Sequence, residues 1–436
     1  MILPKIKKGN ILKVAFVSIS LGNYVPLSLG CIKSFVESDD NIKKKTDIRI
    51  FNFEEYSFSE NYFFGILSSF RPDIICFSCY VWNIERILGL SEKLKQQNNK
   101  RVIVLGGPEA SASFGKLIRN KSVDIVLKGD GELSMRELLI KIIGNMADYQ
   151  SVPGILFKKG NKILSNKSDH AISNLDDIPS PYISGSIGIS SRTHDFATIE
   201  VARGCIFKCA FCFENKSYNK IRYFSVKRVL DEMRFILSRG IHKFWLIHPS
   251  LSINKTYLKE LSDGIESISK NIKIITFLEM RAETIDDEVM SYLKKMSVSS
   301  VTVGLQTIKK ETSRNISREF SLEKFDKGIK LLQDSKIPFI IDVIYGLPGD
   351  DFFDSVRTFS YALSKKPYRI SIFQLSILPG TMLQDNAKKL KIIYDDKPPY
   401  KIISSCSFGK KDIEKANVFW KSIERELYCQ KDFKYS

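Results

Sequence analysis

The 436 residues carry 67 lysines and arginines against 49 acids, for a net charge of +18, and 43% of them are hydrophobic. That length suits two or three domains, and that apolar content excludes a disordered chain. Eight cysteines over this length exclude a disulfide framework and suit a reducing, cytoplasmic compartment.

No apolar run approaches the ~20 residues that span a bilayer, so no membrane partner is expected. Residues 1–10 are basic but lead into only a short apolar run, 11–19, without a small-residue cleavage site, so no signal peptide is expected. The basic residues are spread along the chain, as at 43–45, 93–100 and 388–391, with no recognition motif beside them. Solvated faces are the expectation, rather than nucleic-acid binding.

The first part of the chain alternates strand-like and helix-like segments. Residues 14–19, 47–53, 74–78, 102–105 and 125–127 are short apolar or alternating runs, and 84–97 is amphipathic. This βαβ rhythm predicts an α/β domain, residues 1–150, with a parallel, doubly wound sheet. Ligands bind such sheets beyond the carboxyl ends of the strands. Ser78-Cys-Tyr80 and Gly106-Gly-Pro-Glu109 fall at two such ends, where glycine permits close approach of backbone to a ligand.

Residues 151–195 are rich in turn signals. Asp176-Asp-Ile-Pro-Ser-Pro181 cannot continue a helix, and the stretch reads as a linker. A second βα series follows over 196–385. Its strands are expected at 197–202, 243–248, 273–278, 300–305, 339–345 and 369–375, with helices at 226–237, 257–269, 287–296, 322–333 and 355–364. Six such strands make a partial (β/α)6 barrel, whose chemistry sits on loops at the carboxyl ends of the strands. Residues 386–436 form an extension without strong pattern.

The loop after the first strand of this series reads Cys205-Ile-Phe-Lys-Cys209-Ala-Phe-Cys212. Three thiolates on one short loop wrap a soft metal centre. A structural zinc site normally takes four ligands, and the closest further candidate, His194, lies upstream of the strand. A [4Fe–4S] cube held by three thiolates keeps one iron open. Cys31, Cys76 and Cys79 are expected to pack as small hydrophobes, with Cys79 within reach of a ligand at its strand end. Cys406 and Cys429 receive no role.

A CxxxCxxC motif with an aromatic before its last cysteine is the signature of the radical SAM superfamily, which this chain resembles here. The resemblance implies a [4Fe–4S] cluster on Cys205, Cys209 and Cys212. S-adenosylmethionine (SAM) would chelate the open iron and be cleaved to a 5′-deoxyadenosyl radical. Phe211 matches the aromatic beside the adenine. Asp342-Val-Ile-Tyr-Gly-Leu-Pro-Gly349 resembles the fifth-strand motif, which implies SAM contacts at Asp342, Gly346 and Pro348. Gly304-Leu-Gln-Thr307 resembles the fourth-strand motif, with Gln306 where glutamate is often found. Glu279-Met-Arg281 resembles a third-strand motif that faces SAM, and Gln374 to Thr381 the sixth strand and its turn. Arg318 matches the arginine that pairs with the SAM carboxylate, a role its planar fork suits. Each short match taken alone also reads as core packing or a turn. Where relatives often carry an acidic pair after the second strand, this chain has His248, read either as a hydrogen-bonded loop histidine or as a proton-handling group.

The first series resembles the cobalamin-binding domain that precedes the class B radical SAM methylases. Pro26-Leu-Ser-Leu-Gly30, Ser78-Cys-Tyr80, Gly106-Gly107, Gly129-Asp-Gly-Glu132 and Ile178-Pro-Ser-Pro-Tyr182 carry the likeness. It implies cobalamin contacts at Ser78, Cys79, Tyr80, Gly106, Gly107, Pro108 and Glu109. No histidine precedes His170, so no histidine of this domain would ligate cobalt. The two resemblances imply C-methylation of a natural-product or peptide substrate. Rearrangement or cyclisation with the same cofactors, and a non-catalytic corrinoid or iron–sulfur carrier, stay open. A monomer served by a flavodoxin- or ferredoxin-type electron donor is the implied setting.

Overall fold

The computed structural model describes residues 9–146, 148–160, 162–166, 171–214, 220–248 and 250–428, with side chains to 426. Cys429 and most of the basic N-terminal stretch lie outside the described residues. The chain divides into two compact units, residues 1–201 with 222–244, and residues 202–221 with 245–436. Among the described residues no helix is long and apolar enough to cross a membrane.

The first unit is built on a seven-stranded sheet. Its strands are β1 (Leu12–Ser20), β2 (Thr46–Glu54), β3 (Ile74–Ser78), β4 (Val102–Gly106), β5 (Ile125–Leu127), β6 (Ile155–Lys159) and β7 (Lys162–Ser165), in the order β2-β1-β3-β4-β5-β6-β7. The pairings among β1 to β5 are parallel; those of β5 with β6 and β6 with β7 are antiparallel. Side chains alternate across a strand, and both faces of this sheet are covered. Leu12, Val14 and Phe16 of β1 pack with α1 (Leu27–Val36) and α4 (Gly131–Ile143). Ala15, Val17 and Ile19 pack on the other face with α2 (Glu60–Phe70) and α3 (Ile84–Gln97). The strands β6 and β7 lie where turn signals alone were read. They are short, and Lys158 and Lys159 dilute their apolar pattern.

Residues 176–182, read as a linker, are docked rather than free. Ser34 Oγ donates to the Pro179 carbonyl at 2.7 Å, and Arg228 Nη1 to that of Ile178 at 2.6 Å. Ser180 Oγ donates to Glu232 at 2.6 Å, and the Tyr182 ring is fully buried with its hydroxyl on the Thr198 carbonyl. Arg228 and Glu232 belong to α5 (Val226–Ser238), whose first turn Ser225 caps.

The second sheet has six strands: β8 (Ala197–Glu200), β9 (Lys243–Ile247), β10 (Ile275–Met280), β11 (Val298–Gln306), β12 (Phe339–Tyr345) and β13 (Arg369–Gln374). They lie in the order β13-β12-β11-β10-β9-β8, and β10 to β13 pair in parallel. The helices α6 (Lys255–Ser269), α7 (Asp287–Lys295), α8 (Leu322–Asp334) and α9 (Phe352–Ser364) alternate with these strands. In the extension, where no strong pattern was expected, β14 (Ile393–Tyr394) pairs antiparallel with β15 (Ile402–Ser404), and α10 (Lys410–Tyr428) follows. Phe419 and Trp420 of α10 meet Phe352 and Phe359 of α9.

Candidate active site and cofactor surfaces

Alternation in the second sheet sorts its side chains into two faces. Phe277 and Glu279 on β10, Thr302, Gly304 and Gln306 on β11, Ile340, Asp342 and Ile344 on β12, and Arg369, Ser371 and Phe373 on β13 keep accessible surface, while the residues between them are buried. The register sets Glu279 beside Thr302, and Gly304 beside Asp342, which in turn lies beside Ser371. Sequence places acids, a glycine and hydroxyls on one face, and pairing brings them together.

The cysteine loop is pinned within the second unit by backbone bonds from Ala210 N to the Ile316 carbonyl (2.8 Å) and from Leu383 N to the Ala210 carbonyl (2.9 Å). Cys209 is buried, and Cys205 and Cys212 are half-buried. Burial pushes the Cys205 thiol up and that of Cys212 to about 11, and each thiol is raised further by its cysteine neighbours. Bound metal holds such groups as thiolates by displacing their protons. Among the described residues no three His, Cys, Asp or Glu side chains converge as for a single metal ion. Three thiols on one loop can each take a different iron of a cluster.

Arg318 joins this loop to the sheet. Its Nη1 lies 3.7 Å from Cys209 Sγ and its Nη2 donates to the Gly304 carbonyl at 2.5 Å. A Cβ on Gly304 would stand 2.5 Å from Gln306 Nε2 and 3.0 Å from Arg318 Nη2, so glycine makes room for both side chains. Gln306 is held at φ +68°, a left-handed conformation uncommon outside glycine. Arg318 Nε and Gln306 Oε1 are buried with no hydrogen-bond partner among the described residues. Buried polar groups are normally satisfied, so both atoms await a ligand.

Glu279 and Asp342 supply two carboxyl groups. Glu279 is accessible, yet surrounding protein pushes its carboxyl up, as expected for a side chain lining a recess. Asp342 is pushed up to about 7, first by burial and then by the charge of Glu279, against the Ser371 hydrogen bond and the charges of Arg318 and Arg369. Acids, a free guanidinium edge and an amide beside three thiols fit an amino-acid sulfonium nucleoside, with its ammonium, carboxylate and ribose hydroxyls.

Other expected contacts are placed differently. Phe211 is half-buried on the cysteine loop. Gly346 and Pro348 are buried. A Cβ on Gly346, at φ +85°, would meet Ile402 at 2.8 Å, and the Pro348 carbonyl accepts from Asn315 Nδ2 at 3.0 Å. The chain's own packing thus accounts for both. The Arg281 guanidinium is engaged by Glu283 and lies over the Phe207 ring. His248 is buried, its Nδ1 accepts from Ser250 N at 2.6 Å, and burial pushes it down to about 3. It is therefore a neutral, hydrogen-bonded loop histidine at physiological pH.

At the carboxyl edge of the first sheet, Tyr80, Gly106, Gly107 and Pro108 are accessible, while Ser78 and Glu109 are buried. Cys79 is corrected from the expected cofactor set. It is fully buried in the core, its thiol lies 3.6 Å from the Phe77 carbonyl, and its backbone N donates to Gly106. Gly107 sits at φ +98°, where a Cβ would stand 2.7 Å from the Cys79 carbonyl oxygen. The sequence reading missed Asn83 and Trp82. Buried Asn83 donates to the Ile19 and Ser78 carbonyls (3.0 and 3.1 Å) and accepts from Tyr80 N (2.8 Å). Trp82 stacks on Tyr80 with centroids 4.4 Å apart and donates to the Ile19 carbonyl. The Asn three residues after Tyr80 was the available signal, since Asn side chains often close such turns. An accessible aromatic pair beside glycine backbone fits a flat macrocycle with an amide-bearing tail.

These features define an α/β protein with one sheet edge shaped for a large planar cofactor and a second sheet carrying a three-cysteine loop. Two family models match: the B12 binding domain over residues 26–139 and the radical SAM superfamily over residues 199–361. The chain thus carries a stretch similar to the B12 binding domain ahead of a stretch similar to the radical SAM superfamily. It is 24% identical to the cobalamin-dependent radical SAM methyltransferase TokK of Streptomyces tokunonensis, covering 86% of this chain and 57% of TokK. It is 23% identical to the 2-(S-pantetheinyl)-carbapenam-3-carboxylate methyltransferase of Streptantibioticus cattleyicolor, covering 89% of this chain and 58% of that protein. The chain thus spans less than two thirds of the length of these curated relatives. Among solved structures, TsrM from Kitasatospora setae, with cobalamin and a [4Fe-4S] cluster bound, matches at TM-score 0.72 and 14% identity over 89% of this chain and 82% of that one. OxsB with aqua-cobalamin matches at TM-score 0.76 and 15% identity over 96% and 67%. At identities this low the structural likeness shows a shared fold alone.

Proposed function

We infer that this chain is a cobalamin-dependent radical SAM enzyme that methylates a carbon of a natural-product or peptide substrate. The observation that carries the reading is Arg318, set between Cys209 and Gly304 with its Nε unpartnered beside the equally unpartnered Gln306 Oε1. When bound, cluster, SAM and cobalamin supply reductive cleavage of a sulfonium bond and a transferable methyl group.

The chain's residues hold and orient these groups. Cys205, Cys209 and Cys212 ligate the cluster. Arg318 takes the SAM carboxylate, and Glu279 its ammonium. Gln306 and Asp342 would meet its ribose hydroxyls, and Phe211 would border its adenine. Asp342, protonated up to about pH 7, donates as well as accepts there. Tyr80, Gly106, Gly107 and Pro108 receive cobalamin, with Ser78 and Glu109 buried behind them. The first domain has no histidine that could ligate cobalt.

The domain limits proposed are 1–150 for the cobalamin-binding domain, 151–195 for a linker that adds the strands β6 and β7 to the first sheet, 196–385 for the radical SAM domain and 386–436 for the extension. Both family matches fall inside these limits. The enzyme would act in the cytoplasm as a monomer, with a flavodoxin- or ferredoxin-type electron donor. The test is anaerobic reconstitution with iron, sulfide and cobalamin, followed by mass spectrometry of candidate substrates incubated with SAM and reductant. A product heavier by one methylene unit supports methylation. A product of unchanged mass assigns rearrangement instead, and cobalamin that washes away removes the corrinoid from the reading.

A further inference from the structure

We propose that Arg281 positions the cysteine loop, through the ring of Phe207, and is not a cofactor ligand; this rests on the reading of the three cysteines as cluster ligands. Phe207 lies two residues after Cys205 and two before Cys209, so its ring fixes the chain between two thiols. The Arg281 guanidinium carbon stands 4.1 Å from the centre of that ring. Cation and ring attract more strongly where water is excluded, and Arg281 is only 8% exposed.

The guanidinium has little freedom to turn elsewhere. Its Nε donates to Glu283 at 2.8 Å, and its Nη2 lies 2.6 Å from the same carboxylate and 3.3 Å from the Glu319 carbonyl. The turn that carries it is also locked. Thr284 N and Oγ1 both donate to the Arg281 carbonyl, at 3.0 and 2.6 Å. Helix α8 lies so close that a Cβ on Gly328 would stand 2.0 Å from the Ala282 oxygen.

The two arginines near the thiols therefore differ in kind. Arg318 leaves Nε buried and unpartnered, a donor edge ready for a ligand. Arg281 presents its flat face to Phe207 and its edge to Glu283. A residue that orients ligands from behind governs how firmly they keep their metal, and such partners are typically worth about 10–100-fold in metal affinity.

The test compares wild type with Arg281→Met, Arg281→Lys, Phe207→Leu and the Arg281→Met/Phe207→Leu double variant, all reconstituted anaerobically. Two readouts are taken: the rate of cluster loss to an iron chelator, by absorbance, and the change in the electron paramagnetic resonance spectrum of the reduced cluster on adding SAM. Arg281→Met and Phe207→Leu should each lose the cluster about tenfold faster. The double variant should be no faster than either, because both remove one shared interaction. Arg281→Lys should fall between, since an ammonium lacks the flat face. The SAM-induced spectral change should persist in the cluster that remains. Wild-type loss rates in Arg281→Met or in Phe207→Leu overturn the proposal, as does an Arg281→Met that keeps its cluster but no longer responds to SAM. Should Arg281→Met not fold, Phe207→Leu, which keeps an apolar side chain, decides alone. A wild-type protein that takes up no iron overturns the cluster reading itself, and this inference with it.

Discussion

Asp342 ties proton uptake to folding. The folded chain keeps its proton up to about pH 7, whereas an unfolded aspartate releases it near 3.8. Between those values the native state binds the extra proton, so stability is full below the lower value and is lost as pH rises toward the upper one. Asp350, fully buried and pushed up to about 6 by burial, acts in the same direction. Asp342→Asn should therefore gain in Tm over wild type as pH rises from 4 to 7.5, by thermal unfolding at a series of pH values; a constant gap would contradict this. Gly328 gives a sharper case. Alanine is the better helix former by about 1 kcal/mol. A Cβ only 2.0 Å from the Ala282 oxygen must push backbone aside, which costs about 1–3 kcal/mol or more. The clash wins, so Gly328→Ala should lower the denaturant midpoint despite its helix propensity.

At the level of elements, the turn after β3 depends on Asn83. One buried amide closes three backbone groups from β1, β3 and Tyr80. Asn83→Ala removes the side-chain partner of the Ser78 carbonyl and of Tyr80 N, while Ile19 keeps Trp82, and should cost about 1–3 kcal/mol. It should also weaken cobalamin binding, read by absorbance titration, because the Tyr80–Trp82 stack stands on that turn. The parallel strands of both sheets were legible because alternation and short apolar runs reflect burial directly. β12, from Phe339 to Tyr345, is buried at every second residue and was readable to its ends. β7 was not, since Lys162 and Ile163 are exposed on a short edge strand that buries little. Helix α10 was missed although Ile413, Ala416 and Trp420 are buried at helical spacing. Its packing partners on α9 are distant in sequence.

For the whole molecule, the cysteines and the order of the later motifs were readable, because ligand chemistry fixes residue type and spacing. The partners of each arginine were not. Arg281 and Arg318 look alike in sequence, and only folding sets one against Phe207 and Glu283 and the other between Cys209 and Gly304. The burial of Cys79 likewise depends on which face of β3 meets α2 and α3. In the proposed enzyme three thiols, not the remaining cysteines, support SAM cleavage. The direct measurement is 5′-deoxyadenosine released by anaerobically reconstituted protein given SAM and a strong reductant, beside a variant with Cys205, Cys209 and Cys212 all changed to alanine. Wild type should release the product and the variant none. Iron-loaded wild type that releases none, or a variant that matches it, would contradict this reading.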